Sequence, residues 1–471
     1  MQSRRDQLQA YRFLTRRALA ALVVGEPDVP EPPMRRLSLT TITGIMVAIL
    51  VAAGFGVYGL IKPGSNTKLS SGTIYIERET GARFVLIDDK LHPTLNYTSA
   101  VLAAVTGEQQ GKVAVKTVSA STLAHKPHDS TIGIDGVPDS LPRNTNRLVR
   151  SPWTVCSQVV AQQTDDNIAK VSVSVGDSAQ TTPLPQPDDG VVVASPSSTQ
   201  RYLLWHGERL EIASPVVARA LNLQTGQPLL VGTAFLNALP QGPRLTVPSI
   251  PSAGQLGSSV GNTPTYVGQL VQIADDGSYL LVLSDGVVGV QPFEAALLQT
   301  LPLAGERRSP VRVKRSVALG LPTSPSGAQV LQQFANLPGS GLPQLPDAPA
   351  QAGGICVQFR ENASLVLATP PGTAPSNGTR IDDSAQSKQG FADEVRVPAE
   401  KAALARSDNP KSATRFVIAA PGRKFAASAL ALNGLGYNAV TPVTLPDNLL
   451  LLIPSGPALD TDSARRPVSG S

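Results

Sequence analysis

One segment, GEQQGKV at Gly107 to Val113, contains residue types that could bind a nucleotide phosphate. In phosphate-binding loops, backbone amides surround the phosphates and a lysine, here Lys112, reaches the outer ones. This segment has one residue too few between its glycines, and Val113 stands where a Ser or Thr would bind Mg²⁺. We therefore expect a polar turn here rather than a nucleotide site.

A second segment, GSSVG at Gly257 to Gly261, matches the G-x-S-x-G pattern that exposes a nucleophilic serine, here Ser259. The surrounding residues are rich in Pro, Gly and Ser, which is typical of a linker. The last histidine in the chain is His206, so the hydrolase order Ser, Asp, His cannot be completed. We interpret this segment as a flexible linker.

The histidines offer a weak case for metal binding. His125 and His128 could share a metal, but Pro127 interrupts the helix that would align them, and Asp129 is the only adjoining carboxylate. An exposed loop is the preferred interpretation. His92 and His206 fall in predicted hairpins, where partial burial or exposure is expected rather than catalysis.

Paired acidic residues recur along the chain in contexts that resemble turns. Aspartate is a common turn former, because its side chain bonds to nearby backbone amides. We therefore expect turns rather than acid–base pairs at Asp165/Asp166, Asp188/Asp189, Asp275/Asp276 and Asp382/Asp383. No catalytic residue, cofactor site or metal site is predicted, and we expect the chain not to be an enzyme.

The longest apolar segment, Leu37 to Ile61, has no charged residue in 25 positions. As a helix it would extend for about 37 Å, which spans a bilayer with some tilt. Seven arginines precede it, so the positive-inside rule places the N-terminus in the cytoplasm. A cleaved signal peptide is the main alternative, but the apolar run is too long and no good cleavage site follows it.

The segment from Asp6 to Val24 has apolar residues at helical spacing, including Leu8, Tyr11 and Leu22. We expect an amphipathic helix. Its arginines, Arg12, Arg16 and Arg17, could meet anionic lipid headgroups, or its apolar face could bind a partner protein. A merely solvated segment that sets orientation is equally compatible with the sequence.

The two cysteines, Cys156 and Cys356, both follow the apolar segment. Outside the cytoplasm an even pair usually forms a disulfide. With 199 residues between them, the closed loop would stabilise the fold by up to about 5 kcal/mol on the chain-entropy model. Free thiols are the weaker interpretation.

Composition favours turns and short strands, because Pro and Gly number 41 and 40 while aromatic residues make up only 4%. The net charge is +5. Residues 1–36 hold seven arginines against four acids, so the remainder carries about +2. That distribution argues against a nucleic-acid-binding domain, which needs a basic surface.

A short unit recurs four times, at Arg83 to Ala104, Arg201 to Leu221, Ser278 to Leu298 and Arg415 to Tyr437. Each copy reads as an apolar strand, a polar turn, a second strand and an Ala/Leu-rich helix. A further strand is predicted before copies one and three. Each unit is therefore ββ(β)α and too small to be stable without neighbours.

Copies two and three lie between the cysteines, and copies one and four lie outside them. The predicted fold class is α+β: a single transmembrane helix plus an elongated extracytoplasmic domain with four repeats around a disulfide-linked, discontinuous core. The Pro-rich stretches 183–190 and 321–354 are expected to be connectors or surface loops. The predicted parts are an amphipathic N-terminus (1–36), the span (37–61), repeat 1 (70–112), core part A (113–195), repeat 2 (196–255), repeat 3 (264–310), core part B (311–410), repeat 4 (411–445) and a C-terminal strand with a flexible tail (446–471).

Several segments together resemble EccB, the membrane component of the type VII (ESX) secretion system. They are MQSRRDQLQAYRFLTRRALAAL before the span, LHPTLNYTSAVL at 91–102, WTVC at 153–156, FLNALPQGPRLTVPSIPSAG at 235–254 and SGPALD at 455–460. The likeness runs nearly end to end, and the fourth repeat departs most from the shared pattern.

The resemblance implies a scaffold subunit in the cytoplasmic (inner) membrane, with its C-terminal domain outside the cytoplasm. It implies EccC-, EccD- and EccE-like partners, a mycosin-type protease nearby, and a homo-oligomer within a hexameric complex. An alternative function is a cell-wall-binding anchor, because the family's repeats resemble cell-wall-binding modules. A nucleotide hydrolase is a further alternative, since EccB proteins are sometimes labelled ATPases.

Overall fold

The computed structural model describes residues 4–25, 34–61, 68–105, 113–160, 168–176, 181–196, 198–224, 226–303, 309–360, 365–370 and 390–468. The described residues form two compact units. One lies within Met1–Leu69, Glu77–Thr80 and Thr117–His125, and the other within Ser70–Ile76, Gly81–Lys116 and Lys126–Ser471.

Two long helices belong to the first unit. The predicted amphipathic segment is helical, as α1 (Arg4–Val24), and the predicted span lies in α2 (Met34–Ile61). Within α2, Leu39–Tyr58 has a mean hydropathy of 2.0, and it is the one stretch among the described residues that is long and apolar enough to cross a membrane. Its 20 residues correspond to about 30 Å of helix, which matches the hydrocarbon thickness of a bilayer.

Four modules of one design lie before, between and after the strands of a central sheet. Module 1 has β1 (Thr73–Glu77), β2 (Arg83–Ile87), β3 (Lys90–Pro93), α3 (Tyr97–Ala104), β4 (Ala114–Val118) and α4 (Ala120–Leu123). A 3₁₀ turn (Thr145–Arg147) and the central strands β5 (Trp153–Val160), β6 (Ile168–Val175) and β7 (Thr182–Pro183) follow. Module 2 has β8 (Val191–Ala194), β9 (Arg201–Trp205), β10 (Glu208–Glu211), α5 (Pro215–Ala220), β11 (Leu229–Leu230) and α6 (Thr233–Ala238).

Module 3 has β12 (Leu270–Ile273), β13 (Tyr279–Val282), β14 (Val287–Val290), α7 (Pro292–Leu298), β15 (Val311–Val313) and α8 (Arg315–Ala318). Then come α9 (Gly327–Leu331), a 3₁₀ turn (Gln332–Phe334), α10 (Ala348–Gln351) and the central strands β16 (Gly354–Phe359), β17 (Leu365–Thr369) and β18 (Glu394–Arg396). Module 4 has β19 (Ala402–Ser407), β20 (Arg415–Ala419), β21 (Arg423–Ala427), α11 (Ala429–Leu435), β22 (Val443–Leu445) and α12 (Asp447–Leu451), and α13 (Thr461–Ala464) follows it.

Local sequence accounts for the hairpins and for the first helix of each module. The module 2 hairpin turns at His206 and Gly207, which both have positive φ, and such turns match the twist of the flanking strands. Ser214 accepts a hydrogen bond from the Val217 amide, and Pro215 occupies the first turn of α5. The predicted strand–turn–strand–helix order is therefore confirmed.

Each module also contains a fourth strand that the sequence did not predict. The sheet orders are β3-β2-β1-β4, β10-β9-β8-β11, β14-β13-β12-β15 and β21-β20-β19-β22. In modules 2 to 4 the fourth strand runs parallel to the first, as in Val271 opposite Val311. These strands have only two to three residues in those modules, so they carry little periodic signal.

A proline-led segment covers the outer edge of each hairpin. In every module, the first or second residue of the edge strand donates its amide hydrogen to a proline carbonyl. The pairs are Leu91 with Pro127, Arg209 with Pro240, Val287 with Pro322, and Lys424 with Pro454, at 2.8 to 3.0 Å. These segments protect an edge that would otherwise be open to pairing with another chain.

The central sheet has six strands in the order β18-β6-β5-β16-β17-β7. Its core includes Val155, Val173 and Ile355, together with Phe235 from α6 and Leu449 from α12. Modules 2 and 4 therefore pack on this sheet. A second core joins modules 1 and 4, and a third joins modules 2 and 3. The modules that share a core are also neighbours with respect to the cysteines. Modules 2 and 3 both lie between Cys156 and Cys356 in sequence, and modules 1 and 4 both lie outside them.

Several predicted boundaries are wrong by one strand. Repeat 1 extends past residue 112 to include β4, and repeat 3 extends past 310 to include β15. Repeats 2 and 4 begin earlier than residues 196 and 411, at β8 and β19, which had been assigned to the core. Each misplaced strand is separated from its hairpin by a loop or a helix, so no local turn signal marks it.

The predicted flexible tail is wrong for residues 460–468. Asp460 caps α13, and Leu459 and Ala464 are fully buried. The Arg465 guanidinium donates hydrogen bonds to the carbonyls of Ala103 and Val105 at the end of α3. The predicted C-terminal strand is reduced to isolated bridges at Ser455 and Leu459.

The two Pro-rich stretches contact each other rather than acting only as connectors. Gly190 donates to the carbonyl of Gln344, and the Gln344 amide donates to the carbonyl of Asp188, at 2.7 and 2.9 Å. Phe334, in the second stretch, is 7% exposed and belongs to the core of modules 2 and 3. These stretches therefore help to hold module 2 in place.

Candidate functional site

The predicted disulfide between Cys156 and Cys356 is present. Cys156 lies on β5 and Cys356 lies directly opposite on β16, within an antiparallel register that runs from Gly354 to Phe359. Cys356 is fully buried. The bond therefore closes the central sheet at its middle and joins two segments that are 200 residues apart in sequence.

Ser259 lies on an exposed loop of module 3 and not on a strand-to-helix turn. The loop folds on itself through hydrogen bonds between Val260 and Thr263. A Cβ atom at Gly257 would lie 2.7 Å from a Val282 methyl group, so this glycine allows the loop to approach β13 closely. The G-x-S-x-G pattern here therefore serves packing. The Lys112 segment, apart from Val113, lies outside the described residues.

Three of the four histidines have partners that do not form a metal site. His92 Nδ1 lies 3.2 Å from the carbonyl oxygen of Ser130, and the His128 ring packs edge-on against Phe84. His206 Nε2 lies 3.1 Å from an Asp188 carboxylate oxygen. Among the described residues, no three His, Cys, Asp or Glu side chains converge to hold a metal ion.

Two of the acidic pairs act in turns, as expected. The Asp189 carboxylate accepts the Gln186 amide hydrogen at 2.8 Å. Asp276 accepts hydrogen bonds from the hydroxyl and the amide of Ser278, and these bonds lower the pKa of its carboxyl group. Asp165/Asp166 and Asp382/Asp383 lie outside the described residues.

Lys424, which sequence reasoning missed, is 8% exposed on β21. Its ammonium group donates to the carbonyl oxygen of Leu450, and burial lowers its pKa. Asp447 is the acidic residue that opposes this shift. Lys424 thus attaches the module 4 hairpin to α12, a positioning role within the fold.

A cleft of about 470 Å³ opens in module 3 and has only uncharged lining residues. The Gln333 side chain crosses it, accepting the amide hydrogen of Ser249 at 3.0 Å and donating to the Ser249 carbonyl at 3.3 Å. The lining residues are Ser249, Pro251, Val267, Leu283, Ser284, Ser326, Gln329, Val330 and Gln333. Hydroxyl and amide groups beside aliphatic ones suit a neutral polar ligand such as a sugar or a peptide.

A family model described as "Type VII secretion system ESX-1, transport TM domain B" matches residues 1–468. The ESX-3 secretion system ATPase EccB3 of Mycolicibacterium smegmatis is 30% identical over 335 residues, which cover 68% of this chain and 62% of that protein. The ESX-5 secretion system ATPase EccB5 of Mycobacterium tuberculosis is 30% identical over 333 residues, which cover 68% and 63%. The matched regions thus span less than two thirds of these relatives.

Two solved structures share the fold. A chain of an intact ESX-5 inner membrane complex has a TM-score of 0.64 and 23% identity, covering 100% of this chain and 96% of that one. A chain of an EccB3 dimer from the ESX-3 core complex has a TM-score of 0.63 and 25% identity, covering 84% and 100%. The α+β fold, with one apolar N-terminal helix and several small mixed sheets, therefore occurs in solved secretion complexes.

Proposed function

The chain belongs to the EccB family of type VII secretion proteins, and we propose that it is a non-catalytic structural subunit of an ESX secretion complex at the inner membrane. The observation that carries the proposal is the family match over residues 1–468, which includes both the apolar helix and all four modules. The proposed role is to scaffold the part of the complex outside the cytoplasm.

The contacts that hold the modules together support a scaffold function. Three cores join the modules in series, and the disulfide closes the sheet on which modules 2 and 4 pack. A domain tied together in this manner holds several surfaces at fixed positions. The proposed partners are EccC-, EccD- and EccE-like membrane subunits, a mycosin-type protease and further copies of this chain.

We propose that the N-terminus lies in the cytoplasm and that the modules lie outside it. The arginines before α2 support this orientation through the positive-inside rule. The native cysteines form a disulfide, so a single introduced cysteine would be the only free thiol for labelling. Exposed Thr15 and Ser259 offer suitable positions on the two sides.

Topology is tested with Thr15→Cys and Ser259→Cys in spheroplasts treated with a membrane-impermeant maleimide. We expect Ser259→Cys to react at once and Thr15→Cys to react only after permeabilisation. The reverse pattern would show that the proposed orientation, and the scaffold role that depends on it, are wrong.

Subunit function is tested by mild detergent extraction of the tagged full chain, followed by native gels and mass spectrometry. We expect the chain to migrate with other membrane subunits of the secretion system. A chain that migrates alone, under conditions that keep those subunits together, would contradict the proposal.

Cell-wall binding is a second candidate, favoured by the uncharged cleft of module 3. Gln329 lines this cleft, whereas Gln332 is exposed but does not line it. If the cleft binds glycan, Gln329→Ala should weaken retention of the full chain on purified cell wall and Gln332→Ala should not. Equal retention of both variants, or no retention of the parent, would reject this candidate.

ATP hydrolysis is the third candidate, and we propose that it is absent although relatives carry the name ATPase. Purified full chain with ATP and Mg²⁺ provides the test, with Lys112→Ala beside it. Turnover that disappears in Lys112→Ala would overturn the non-catalytic assignment.

A further inference from the structure

The outer sheet face of modules 2 and 4 packs on the central sheet. Side chains alternate across a strand, so one set faces the module's own helix and the other set faces away. In module 2, Leu203 and Trp205 lie in the core shared with module 3, whereas Leu204 lies in the core of the central sheet. In module 4, Ile418 is in the central core and Val417 is not.

Strand register identifies the corresponding face of module 3. In module 2 the last residue pair before the hairpin turn is Trp205 with Glu208, and in module 3 it is Leu283 with Gly286. Leu283 therefore corresponds to Trp205, and Val282, one residue earlier, corresponds to Leu204. The parallel strands agree, since Leu229 pairs with Val193 and Val311 pairs with Val271.

The residues of this face belong to the central core in modules 2 and 4 but to a different cluster in module 3. Module 2 contributes Val193, Tyr202, Leu204, Leu229 and Val231 to the central core, and module 4 contributes Ala405, Phe416, Ile418, Val443 and Leu445. In module 3 the corresponding residues Val271, Leu280, Val282, Val311 and Val313 form a separate small cluster. Leu280 and Val311 are partly buried there, as Tyr202, Phe416 and Leu229 are in the other modules, whereas Val313 is less buried than both of its counterparts, Val231 and Leu445.

The second helix of each module shows the same contrast. Phe235, Val317 and Leu449 are equivalent residues of modules 2, 3 and 4. Each lies at the same distance in sequence from the parallel fourth strand before it and from the edge-covering proline after it. Phe235 and Leu449 are fully buried in the central core, whereas Val317 is 38% exposed. Leu319, two residues further on, is 81% exposed.

The chain also shows what can cover such a helix. α6 of module 2 contacts α12 of module 4 in the central core, so two copies of the same module element pack against each other. α8 is the corresponding element of module 3. Its arginine, Arg315, forms an ion pair with Asp276, which offsets its charge, and the exposed Lys314 lies at the other end of the helix from Leu319.

We propose that the face of module 3 formed by Val311, Val313, Val317 and Leu319 is a contact surface for a second copy of this chain, with α8 packed on α8 of the other copy. The inference rests on the proposed function, because it assigns the self-association of a scaffold subunit to one module. A symmetric contact of this kind uses the same patch on both subunits, which is the commonest form of homo-oligomer interface.

Leu319→Arg in the full chain tests the contact, because an exposed position tolerates the change without unfolding. Leu430→Arg is the matched control, since Leu430 is 46% exposed but lies on α11 of module 4. In mild detergent, we expect Leu319→Arg to raise the dimer dissociation constant at least about tenfold. The control should leave it within about twofold, and equal melting temperatures would show that both variants are folded.

Disulfide trapping supplies the second measurement. Under mild oxidation in native membranes, Leu319→Cys should yield a covalent homodimer and Leu430→Cys should not. An unchanged dissociation constant in Leu319→Arg, a parent chain that is monomeric in detergent, or an adduct of Leu319→Cys with a different subunit would each overturn the inference. Co-migration with other subunits would still support the scaffold role in those cases, so the two proposals fail separately.

Discussion

At the scale of single residues, several of the candidate residues named from the sequence have structural roles. Asp276 bonds to Ser278 within its turn, His128 packs on Phe84, and Gly257 permits close packing on Val282. Asp129, considered as a metal ligand in the sequence, instead forms an ion pair with Lys90 at 2.9 Å. That pair ties the edge-covering segment of module 1 to β3.

The Lys90–Asp129 pair predicts an acid-sensitive contribution to stability. The hydrogen bond from Lys90, with the Ser130 amide, lowers the pKa of Asp129 from 3.8 to about 2. The folded state therefore favours the charged carboxylate more than the unfolded state does. The resulting stabilisation of the fold is present above about pH 4 and is lost as the pH falls through about 2. Asp129→Asn should lower the melting temperature slightly at pH 7 and have a much smaller effect near pH 2.

The control for this prediction is Lys90→Met. In that background Asp129→Asn should have a smaller effect at neutral pH, since the partner is gone. A difference between Asp129→Asn and the parent that stayed constant from pH 7 to pH 2 would contradict the assignment.

At the scale of elements, the module is larger than a hairpin and a helix. A parallel fourth strand, a second short helix and a proline-led covering segment complete it in modules 2 to 4. Modules 1, 2 and 4 have an aromatic residue at one position of the second strand, namely Phe84, Tyr202 and Phe416, and strand register shows which residue of module 3 corresponds to it. Counted from the turn, Leu280 and not the aromatic Tyr279 occupies the position of Tyr202. The aromatic residue that marks the other copies is displaced by one position here.

The covering segment of module 4 provides a packing test. A Cβ atom at Gly456 would overlap the fully buried ring of Phe425, so Gly456→Ala forces the ring or the segment to move. We expect Gly456→Ala to destabilise the fold by about 1–3 kcal/mol. Denaturant unfolding measures the change.

Gly289→Ala is the matched control for that variant. Gly289 lies on the edge strand of module 3, and a Cβ atom there would meet nothing within 4 Å. Its effect should stay below about 1 kcal/mol, because no atom is displaced and the residue is exposed. Equal destabilisation by the two variants would mean that the Phe425 contact is not the cause.

At the scale of the whole molecule, modules are held in pairs, 1 with 4 and 2 with 3. The pair formed by modules 2 and 3 depends on large buried side chains. Phe293 of α7 stacks on Trp205 of β9 with ring centroids 5.0 Å apart, and both are fully buried. The pair formed by modules 1 and 4 has its own core, with Phe425 and Tyr437.

Phe293→Ala should therefore destabilise the core of modules 2 and 3 and leave the core of modules 1 and 4 unchanged. Loss of this side chain from a core costs about 3–5 kcal/mol. Hydrogen exchange followed by mass spectrometry should show faster exchange in α5, α7, β9 and β13, with α3, α11 and β20 unchanged. Faster exchange throughout the chain would show that the cores do not open separately.

The disulfide makes a prediction at the same scale. Replacing both cysteines, as in Cys156→Ala with Cys356→Ala, should remove up to about 5 kcal/mol of stability, because the unfolded chain regains the freedom of a long loop. Thermal unfolding with and without a thiol reductant measures this effect. Reductant should lower the melting temperature of the parent and leave the double variant unchanged.

The sequence by itself determined the features that depend on neighbouring residues. Uncharged positions before Lys62 predicted α2, and the pattern of strand, polar turn, strand and Ala/Leu-rich helix predicted the hairpins and the first helix of each module. The cysteine pair and the family segments also sufficed for the disulfide and the family. The helix and the hairpins depend on residues close in sequence, and the disulfide could be predicted because the chain has only two cysteines.

Only the tertiary structure decided which module face is covered. Phe235, Val317 and Leu449 follow similar local patterns, yet two are fully buried and one is exposed, because the central sheet is assembled from segments far apart in sequence. The short parallel strand at Leu229 and Leu230 likewise becomes a strand only when Val193 and Ala194 lie beside it. Burial and parallel pairing are set by distant partners, and a local pattern carries no information about where those partners lie.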